Sequence, residues 1–298
     1  MAPSAVTSPH LAPACTTVTV TGVGLITGLP VTVTLTPALK GQGIAFVLPN
    51  GAVVPADLNA VVDANRGVTL ADAQSQKTLS IVEHFLSACA LSNRLDVRVT
   101  IDMATNAPLW ELPLLDGSAA DWLPFLNQLP ERGKELPLLL NKAVFYRQNH
   151  GVCIYAVPSN RLQITYAVNI DHTETAHQWA RWDSASDDLL TIATSRTFGL
   201  LRELPALQAS GMARGVSLEN TLGLVDDGST TSPLRHPQEP IYHKMLDLLG
   251  DLMLTGVNPL RLNAHVVAIY AGHASHVGFG KQLRACGLFK DVLGSALG

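Results

Sequence analysis

One stretch of the sequence places several chemically active side chains on a single predicted helix: Pro240-Ile241-Tyr242-His243-Lys244-Met245-Leu246-Asp247-Leu248-Leu249-Gly250-Asp251. The proline suits a first helical turn and Gly256 suits a helix end, so we expect a helix over 240–255. His243, Asp247 and Asp251 recur every four residues and therefore share one face. An imidazole and a carboxylate one turn apart can bind the same cation. A solvated polar face with i,i+4 pairing is the alternative.

A metal site of this kind needs a third ligand, and the dipeptide Glu83-His84 is the best source. Apolar spacing predicts an amphipathic helix over 79–91 that carries it. The imidazole could bind the metal while the carboxylate lies beside a metal-bound water. Ser80-Ile81-Val82-Glu83 also fits a capping box, in which Glu83 would bond back to the helix start. The sequence leaves both interpretations open.

His273 follows an apolar strand predicted over 265–270 and stands next to Gly272. A histidine at a strand end can enter a cleft and act as a general acid. A surface loop is the commoner setting for such a residue, and His276 is a rival for the same role.

Composition and charge exclude several classes of protein. Hydrophobic residues make up 47% of the 298 residues and charged residues 15%, which favours a folded globular protein. The net charge of −4 and the absence of a basic stripe argue against a nucleic-acid partner. The most apolar helical run, near 246–254, is interrupted by charges and is too short to span a bilayer.

The cysteines and the N-terminus indicate a cytoplasmic protein. The first basic residue is Lys40, so no secretory signal or transit peptide is expected. The cysteines are scattered without CxxC spacing, which argues against a cysteine zinc site and against a disulfide framework. We interpret them as reduced, buried residues: Cys15, Cys89, Cys153 and Cys286.

Strand and helix patterns predict two α+β domains of similar plan, because each half runs from strands to helices. Alternating β-branched residues predict a hairpin over 17–21 and 31–35, and its GxGxxxG glycines do not fit a dinucleotide fingerprint. The charged, proline-flanked segment 130–137 is the predicted boundary. The other predicted strands are 97–101, 138–146, 152–157 and 162–170, and the other predicted helices are 119–129 and 197–209.

Several ordered motifs together resemble the UDP-3-O-acyl-N-acetylglucosamine deacetylase family, the zinc enzymes of early lipid A synthesis. The resemblance runs from about Thr17 to Leu283. Its motifs are Gly22-Val23-Gly24-Leu25, Ser80-Ile81-Val82-Glu83-His84, Glu111-Leu112-Pro113-Leu114-Leu115-Asp116-Gly117-Ser118-Ala119, Arg196-Thr197-Phe198-Gly199, Arg214-Gly215-Val216-Ser217, His243-Lys244-Met245-Leu246-Asp247 with Gly250-Asp251, and Gly272-His273-Ala274.

The resemblance implies a zinc-dependent hydrolysis of the substrate's acetamide. Glu83 would be the general base and His273 the general acid, with Asp251 orienting that histidine. Three side chains would bind zinc, or iron as an alternative, with water in the fourth position: His84, His243 and Asp247. Lys244 and Thr197 would hold the developing oxyanion or the substrate. The further substrate-binding positions implied are Phe198, Glu203, Gly215, Ser217 and Tyr166, the last near a uridine-stacking aromatic of the family.

The implied fold has domains at 1–132 and 133–298, each a sheet with a pair of helices, with the helices sandwiched between the two sheets and the metal at their junction. An insert at about 199–228 would form a passage for the acyl chain. Core packing is the alternative explanation for its apolar residues, which are Leu200, Leu201, Leu204, Leu207 and Met212. We expect a monomer whose partner is a UDP-linked acylated amino sugar.

Some positions depart from the family pattern without touching the metal set. They are Ile26 and Ile81 in the first two motifs, Tyr242 before His243, Tyr270 or Ala271 where a basic residue is usual, and His276 where asparagine is usual. These departures leave two other functions open. One is a zinc-stabilised relative that binds a UDP-sugar or acyl lipid without turnover, and the other is a deacetylase of a different N-acetyl sugar.

Overall fold

The computed structural model describes residues 16–72, 74, 77–172 and 177–287. The strands of the first half are β1 Val18–Val23, β2 Pro30–Pro37, β3 Ile44–Val47, β4 Val53–Pro55, β5 Val61–Asp63, β6 Thr69–Ala71, β7 Thr78–Ser80, β8 Val97–Asp102 and β9 Trp110–Glu111. Those of the second half are β10 Leu138–Leu139, β11 Val144–Arg147, β12 Cys153–Pro158, β13 Gln163–Ala167, β14 Trp179–Asp183, β15 Phe198–Leu200, β16 Leu222–Leu224 and β17 Leu262–Ile269. The helices are α1 Glu83–Ser92, α2 Leu123–Leu126, α3 Leu189–Ala193, α4 Leu204–Ala209, α5 Glu239–Met253 and α6 His273–Ala285. The α+β class predicted from the sequence is confirmed.

The two halves contain main sheets with the same strand order. In the first the order is β1-β2-β8-β3-β4, and in the second it is β11-β12-β17-β13-β14. Each begins with an antiparallel hairpin, and the strand of that sheet that comes last in the chain, β8 or β17, lies beside the hairpin. That last strand pairs in parallel with the next one in both sheets. The predicted hairpin at the N-terminal end is β1 and β2, so the period-two alternation was interpreted correctly.

Helices α1 and α5 pack against each other and link the two sheets. On α1, Phe85 packs its ring edge-on against Phe46 of β3, with ring centroids 6.1 Å apart. On the other side α5 contacts β13 and β14, and α6 contacts β11 and β12. Each helix therefore buries an apolar face against the sheet of its own half. The opposite faces of α1 and α5 pack against each other between the two sheets.

A glycine on α5 allows α1 to come close. A Cβ added at Gly250 would lie 2.0 Å from the backbone carbonyl oxygen of Glu83. No side chain fits there, so the backbones of the two helices are in direct contact. This contact sets how far His84, next to Glu83, lies from the polar face of α5.

A buried ion pair ties the first turn of α5 to the segment before β15. Arg196 donates to both carboxylate oxygens of Glu239, at 2.8 and 3.1 Å, and its backbone N–H donates to the same carboxylate at 3.0 Å. Both side chains are almost fully buried, at 7% and 0% exposure. Burial opposes ionisation of Glu239, but the hydrogen bonds from Arg196 keep the pKa of its carboxyl below the usual value.

The start of α1 differs from the sequence prediction. The predicted helix over 79–91 begins only at Glu83, because residues 78–80 form β7 instead. Between them Ile81 has a left-handed backbone with φ of 58°, which a β-branched residue rarely adopts and which ends the strand. The capping-box alternative is wrong, because the Ser80 hydroxyl bonds to the Thr69 hydroxyl at 2.8 Å instead, and among the described residues no side chain caps the start of α1.

Other element predictions were partly wrong. The helix predicted over 119–129 is a 3-10 turn followed by the four-residue α2, and the strand predicted over 138–146 is divided between β10 and β11. The helix predicted over 197–209 begins as β15 and becomes helical only afterwards. Helix α6 was missed because Gly278 and Gly280 weaken its pattern. At Gly278 an added Cβ would lie 2.1 Å from the Tyr146 ring, so any larger residue there would have to displace this ring of β11.

No helix among the described residues is long and apolar enough to cross a membrane. The described cysteines are all free thiols, and Cys89 is the buried one; Cys15 lies outside the described residues. The boundary predicted at 130–137 falls in a segment without helix or strand, and the domain limits themselves stay a prediction.

Replacing Gly250 by alanine tests the contact between α1 and α5. Alanine in place of a helical glycine normally stabilises a protein by up to about 1 kcal/mol. Here we expect the clash with the Glu83 carbonyl to destabilise it by about 1–3 kcal/mol, as overpacking does. Thermal unfolding measures the change. Gly199→Ala is the control, because a Cβ there meets nothing within 4 Å; an unchanged melting temperature for Gly250→Ala would contradict the prediction.

Replacing Glu239 by glutamine tests the buried ion pair. Removing one partner leaves the Arg196 charge buried without compensation, so we expect the free energy of unfolding to fall by about 3–5 kcal/mol at pH 7. Because the folded-state pKa is lowered, this stabilisation is complete above the ordinary glutamate pKa of 4.5 and declines as the pH falls below it. Denaturant unfolding at pH 7 and at acid pH measures both effects.

Asp226→Asn is the matched control, because it breaks the exposed pair with Arg202, and exposed pairs contribute about 0–1 kcal/mol. If Glu239→Gln and Asp226→Asn lowered the free energy of unfolding equally, the buried pair would contribute no more to stability than an exposed one.

Candidate metal centre and active site

Three buried side chains from α1 and α5 converge on one point. Asp247 Oδ1 lies 3.3 Å from His243 Nε2 and 3.7 Å from His84 Nε2. All three potential ligand atoms lie within 4.8 Å of one another, and none of the residues is more than 5% exposed. The helix predicted over 240–255, with its four-residue spacing, therefore does present His243 and Asp247 to His84.

Both imidazoles are suited to donate a lone pair. Burial lowers the pKa of His84 to about 3, with His243 adding to the effect, and burial likewise lowers the pKa of His243. Nδ1 of His243 donates to the Ser195 carbonyl at 3.0 Å, and a carbonyl can only accept. The proton is therefore on Nδ1, and Nε2 faces Asp247 with its lone pair free for a metal ion.

The donor set fits a divalent metal ion. Asp247 Oδ1 is buried and has no hydrogen-bond partner among the described residues, although it faces two imidazole nitrogens. Ligands about 2.1 Å from a tetrahedral zinc ion lie roughly 3.4 Å apart, close to the separations from Asp247. Burial opposes ionisation of Asp247, but His243 and Lys244 beside it keep its pKa well below the usual range.

Glu83 lies next to this group with its carboxylate fixed from behind. Its Oε2 accepts a hydrogen bond from the backbone N–H of Val68 at 3.1 Å, and the side chain lines the same cavity as His84. Burial raises the pKa of Glu83 to about 7 against the opposing effect of His273. A carboxyl with that pKa can take up and release a proton near neutrality.

His273 is the first residue of α6 and faces the same space from the other side. Its Nδ1 donates to Asp251 Oδ2 at 2.8 Å, and its Nε2 lies 3.8 Å from Asp247 Oδ2. Burial by itself would lower its pKa, but the charges of Asp251 and Asp247 and the hydrogen bond raise it to about 9. The imidazole therefore holds a proton at neutral pH.

Lys244 lies between the candidate metal ligands and an aromatic ring. Its Nζ donates to Asp247 Oδ2 at 2.7 Å and lies 5.6 Å from the centroid of the Phe198 ring. The same ring packs edge-on against His243, with centroids 6.0 Å apart. Phe198 thus forms one wall of the site and limits where the ammonium group can move.

The site forms the floor of a cavity of about 680 Å³. Glu83, His84, His243, Asp247, Lys244 and His273 line it together with Thr197, Phe198, Glu203 and Ser217. The apolar residues considered in the sequence also line it, namely Leu200, Leu201, Leu204, Leu207 and Met212. None of the residues of α4 is buried, and its half-buried Leu204 and Leu207 line the cavity. Arg66 forms an ion pair with Glu203 at 3.2 Å, which joins the two halves across the cavity wall.

The structure does not bring two predicted substrate-binding residues to the cavity. Gly215 packs against the opening hairpin, where an added Cβ would lie 2.0 Å from the Gly24 carbonyl oxygen. Tyr166 is 0% exposed, and its hydroxyl bonds to the Ala271 carbonyl and His276. A ring buried in the core has no face open to a uracil base, so the expected stacking by Tyr166 is not supported.

Sequence reasoning missed two groups that orient the candidate ligands. The Ser195 carbonyl fixes His243, and a backbone atom leaves no signal in a sequence. Glu239 binds Arg196, the residue after Ser195, and so holds this segment in place. Because Glu239 lies four residues before His243, the four-residue spacing could have revealed it. Of the departures from the family pattern, Ile26 and Ile81 line the main cavity and Tyr270 lines a smaller one beside it.

Comparison with known proteins agrees with this geometry. Residues 15–285 match the family described as LpxC, UDP-3-O-acyl N-acetylglycosamine deacetylase. A protein named UDP-3-O-acyl-N-acetylglucosamine deacetylase from Synechocystis sp. is 34% identical over 274 residues, 89% of this chain and 95% of that protein. Proteins of the same name from Leptospira biflexa and Chlamydia muridarum are each 32% identical, over 89% and 88% of this chain and 86% and 90% of their own length. The chain therefore belongs to the UDP-3-O-acyl N-acetylglycosamine deacetylase family.

Proposed function

We propose that this protein hydrolyses the acetamide of UDP-3-O-acyl-N-acetylglucosamine, giving the free amine and acetate in an early step of lipid A biosynthesis. The observation that carries the proposal is the buried group of two neutral imidazoles and one carboxylate, with Glu83 and His273 on either side. The relatives are named for this deacetylation, and the family consists of metalloenzymes.

Zinc is the metal that we propose for His84, His243 and Asp247, because two nitrogens and one oxygen with an open fourth position match a catalytic zinc site. A bound zinc ion would supply Lewis acidity, polarising the amide carbonyl and making a neighbouring water easier to deprotonate. The Ser195 carbonyl would keep Nε2 of His243 available as a ligand.

Glu83 and His273 divide the proton transfers between them. Glu83, with a pKa of about 7, would take the proton from the attacking water. His273, protonated up to about pH 9, would give a proton to the leaving amine nitrogen. Amide hydrolysis needs an acid as well as a base, because without protonation the nitrogen would have to leave as an anion, which is too poor a leaving group. Lys244 and Thr197 line the cavity near the metal ligands and would hold the developing oxyanion.

The shape of the cavities supports an acylated nucleotide sugar as the substrate. The apolar residues of the segment 199–228 would receive the acyl chain, and Phe198, Glu203 and Ser217 would line the sugar site. A second cavity of about 290 Å³ adjoins the first and shares Arg66, Lys244 and His273 with it. None of the described residues that line this second cavity carries a carboxylate, so its charge suits a diphosphate. The monomeric state and the cytoplasmic location stay predictions.

Acetate release from the acylated UDP-sugar is the direct test. We expect turnover by the wild-type protein and a loss of roughly 10²- to 10⁴-fold in kcat for Glu83→Gln and for His273→Gln, because each removes one proton-transfer group. Glu131→Gln changes an exposed carboxylate and should leave kcat unchanged. UDP-N-acetylglucosamine without the acyl chain should react more slowly, because binding energy from the acyl chain contributes to catalysis.

If the wild-type protein retains its metal but releases no acetate, the enzymatic proposal is rejected in favour of a binding protein. Equal rates on the acylated and unacylated sugars would reject the acyl site in the apolar segment.

Removing a ligand tests the metal site separately from catalysis. We expect the wild-type protein to retain about one zinc ion per chain, and His84→Ala and Asp247→Ala to lose it, because a mononuclear site needs all three protein ligands. Elemental analysis of the purified proteins measures the metal and distinguishes zinc from iron. His265→Ala is the control, because that histidine bonds to Thr165 on β13, away from the site. Zinc retained by both ligand variants would mean that it binds elsewhere.

A further inference from the structure

His276 is a buried histidine that the proposed chemistry leaves without a role. It follows His273 by one turn of α6 and is 0% exposed. Its Nδ1 donates to Asp251 Oδ2 at 2.7 Å, and its Nε2 lies 2.8 Å from the Tyr166 hydroxyl. The ring therefore bridges the polar face of α5 and the core strand β13.

Asp251 receives both of its hydrogen bonds at a single oxygen. Nδ1 of His273 and Nδ1 of His276 approach Oδ2 at 2.8 and 2.7 Å, while Oδ1 has no hydrogen-bond partner among the described residues. Without His276 the carboxylate would be bonded only to the histidine that it has to orient. The external bond from His276 is thus what fixes the carboxylate independently of His273.

Tyr166 fixes His276 in turn and also holds the start of α6. Its hydroxyl lies 2.8 Å from Nε2 of His276 and 2.8 Å from the carbonyl oxygen of Ala271. Ala271 comes two residues before His273, so one hydroxyl holds the backbone on one side of the catalytic histidine and the supporting ring on the other. The complete burial of Tyr166 gives this contact a rigid base.

Asp251, His273 and His276 also form a group with metal-ligand chemistry, but their geometry is that of a hydrogen-bonded network. Asp251 lies 2.7–2.8 Å from both nitrogens, shorter than the roughly 3.4 Å that separates two ligands around one zinc ion. A carboxylate only accepts, so both nitrogens hold their protons toward it.

We infer that His276, supported by Tyr166, is a positioning residue for the general acid: it fixes Asp251 so that His273 points Nε2 toward the metal ligands. The effect of His276 on the reaction rate rests on the proposed deacetylation, whereas its effect on the position of His273 does not. The neighbours of His276 cannot replace it, because the Ser275 hydroxyl bonds to the Gly272 backbone and the Val277 side chain has no hydrogen-bonding group.

The first test follows the imidazole N–H protons by NMR in zinc-loaded protein labelled with ¹⁵N-histidine. In the wild type we expect slowly exchanging Nδ1–H signals from both His273 and His276, because both bonds are buried. In His276→Leu the signal of His273 should broaden or exchange rapidly with water. Val277→Ala is the matched control: it removes buried volume from the same helix but leaves the network intact, so both signals should persist. An unchanged His273 signal in His276→Leu would overturn the inference.

The second test is a kinetic double-mutant cycle with acetate release. We expect His276→Leu to lower kcat roughly 10- to 100-fold, as loss of an orienting partner does, with KM and bound zinc unchanged. His276→Asn should recover part of the rate, since its amide can still donate to Asp251. In an Asp251→Ala background, His276→Leu should have little further effect, because the two act as one unit. Full additivity, or an equal loss of kcat in Val277→Ala, would overturn the positioning role.

The two proposals fail in different ways. A wild-type protein that releases no acetate but shows the protected His273 signal, lost in His276→Leu, would reject the deacetylation and support the positioning of His273. A wild type that turns over while His276→Leu keeps both its rate and its His273 signal would reject the positioning role alone.

Discussion

The direct backbone contact between α1 and α5 is the constraint on which the site depends. Gly250 leaves room for the Glu83 carbonyl where any side chain would collide. The next residue on α1 is His84, so this contact brings its imidazole within 3.7 Å of Asp247. Metal ligands tolerate errors of only a few tenths of an ångström, and an interface of flexible side chains would hold them less accurately than two backbones in contact.

The acidic residues of α5 organise the elements around that contact. Glu239, Asp247 and Asp251 are all buried, and an unpaired buried charge is costly. Each therefore has a charged or hydrogen-bonding partner. Glu239 pairs with Arg196 from the segment before β15, Asp247 with Lys244 one turn away on α5, and Asp251 with His273 from α6. The charges of Asp251 and Asp247 also raise the pKa of His273 to about 9, against the effect of burial, so its imidazole holds a proton at neutral pH.

The shared strand order of the two halves explains where the site lies. In each half a helix, α1 or α5, precedes the last strand inserted into the sheet, and these two helices meet between the sheets. The second half differs by adding α6 and the segment around α4. Those additions supply His273 and much of the apolar cavity wall, whereas the candidate metal ligands come from the two helices that the halves share.

The sequence by itself determined the local pieces. The four-residue spacing of His243, Asp247 and Asp251, the period-two hairpin and the α+β class depend on neighbouring residues and could be predicted. Sequence chemistry also proposed Glu83-His84 as the source of the third ligand but left a capping box open, and the resemblance favoured the metal interpretation. Only the tertiary structure decided that Ile81 turns the chain before α1, that Gly278 allows α6 to pack on β11, that Tyr166 is buried and that His276 shares Asp251 with His273. Each of these depends on contacts between residues far apart in the chain, and local periodicity contains no information about which distant atoms will fill the same space.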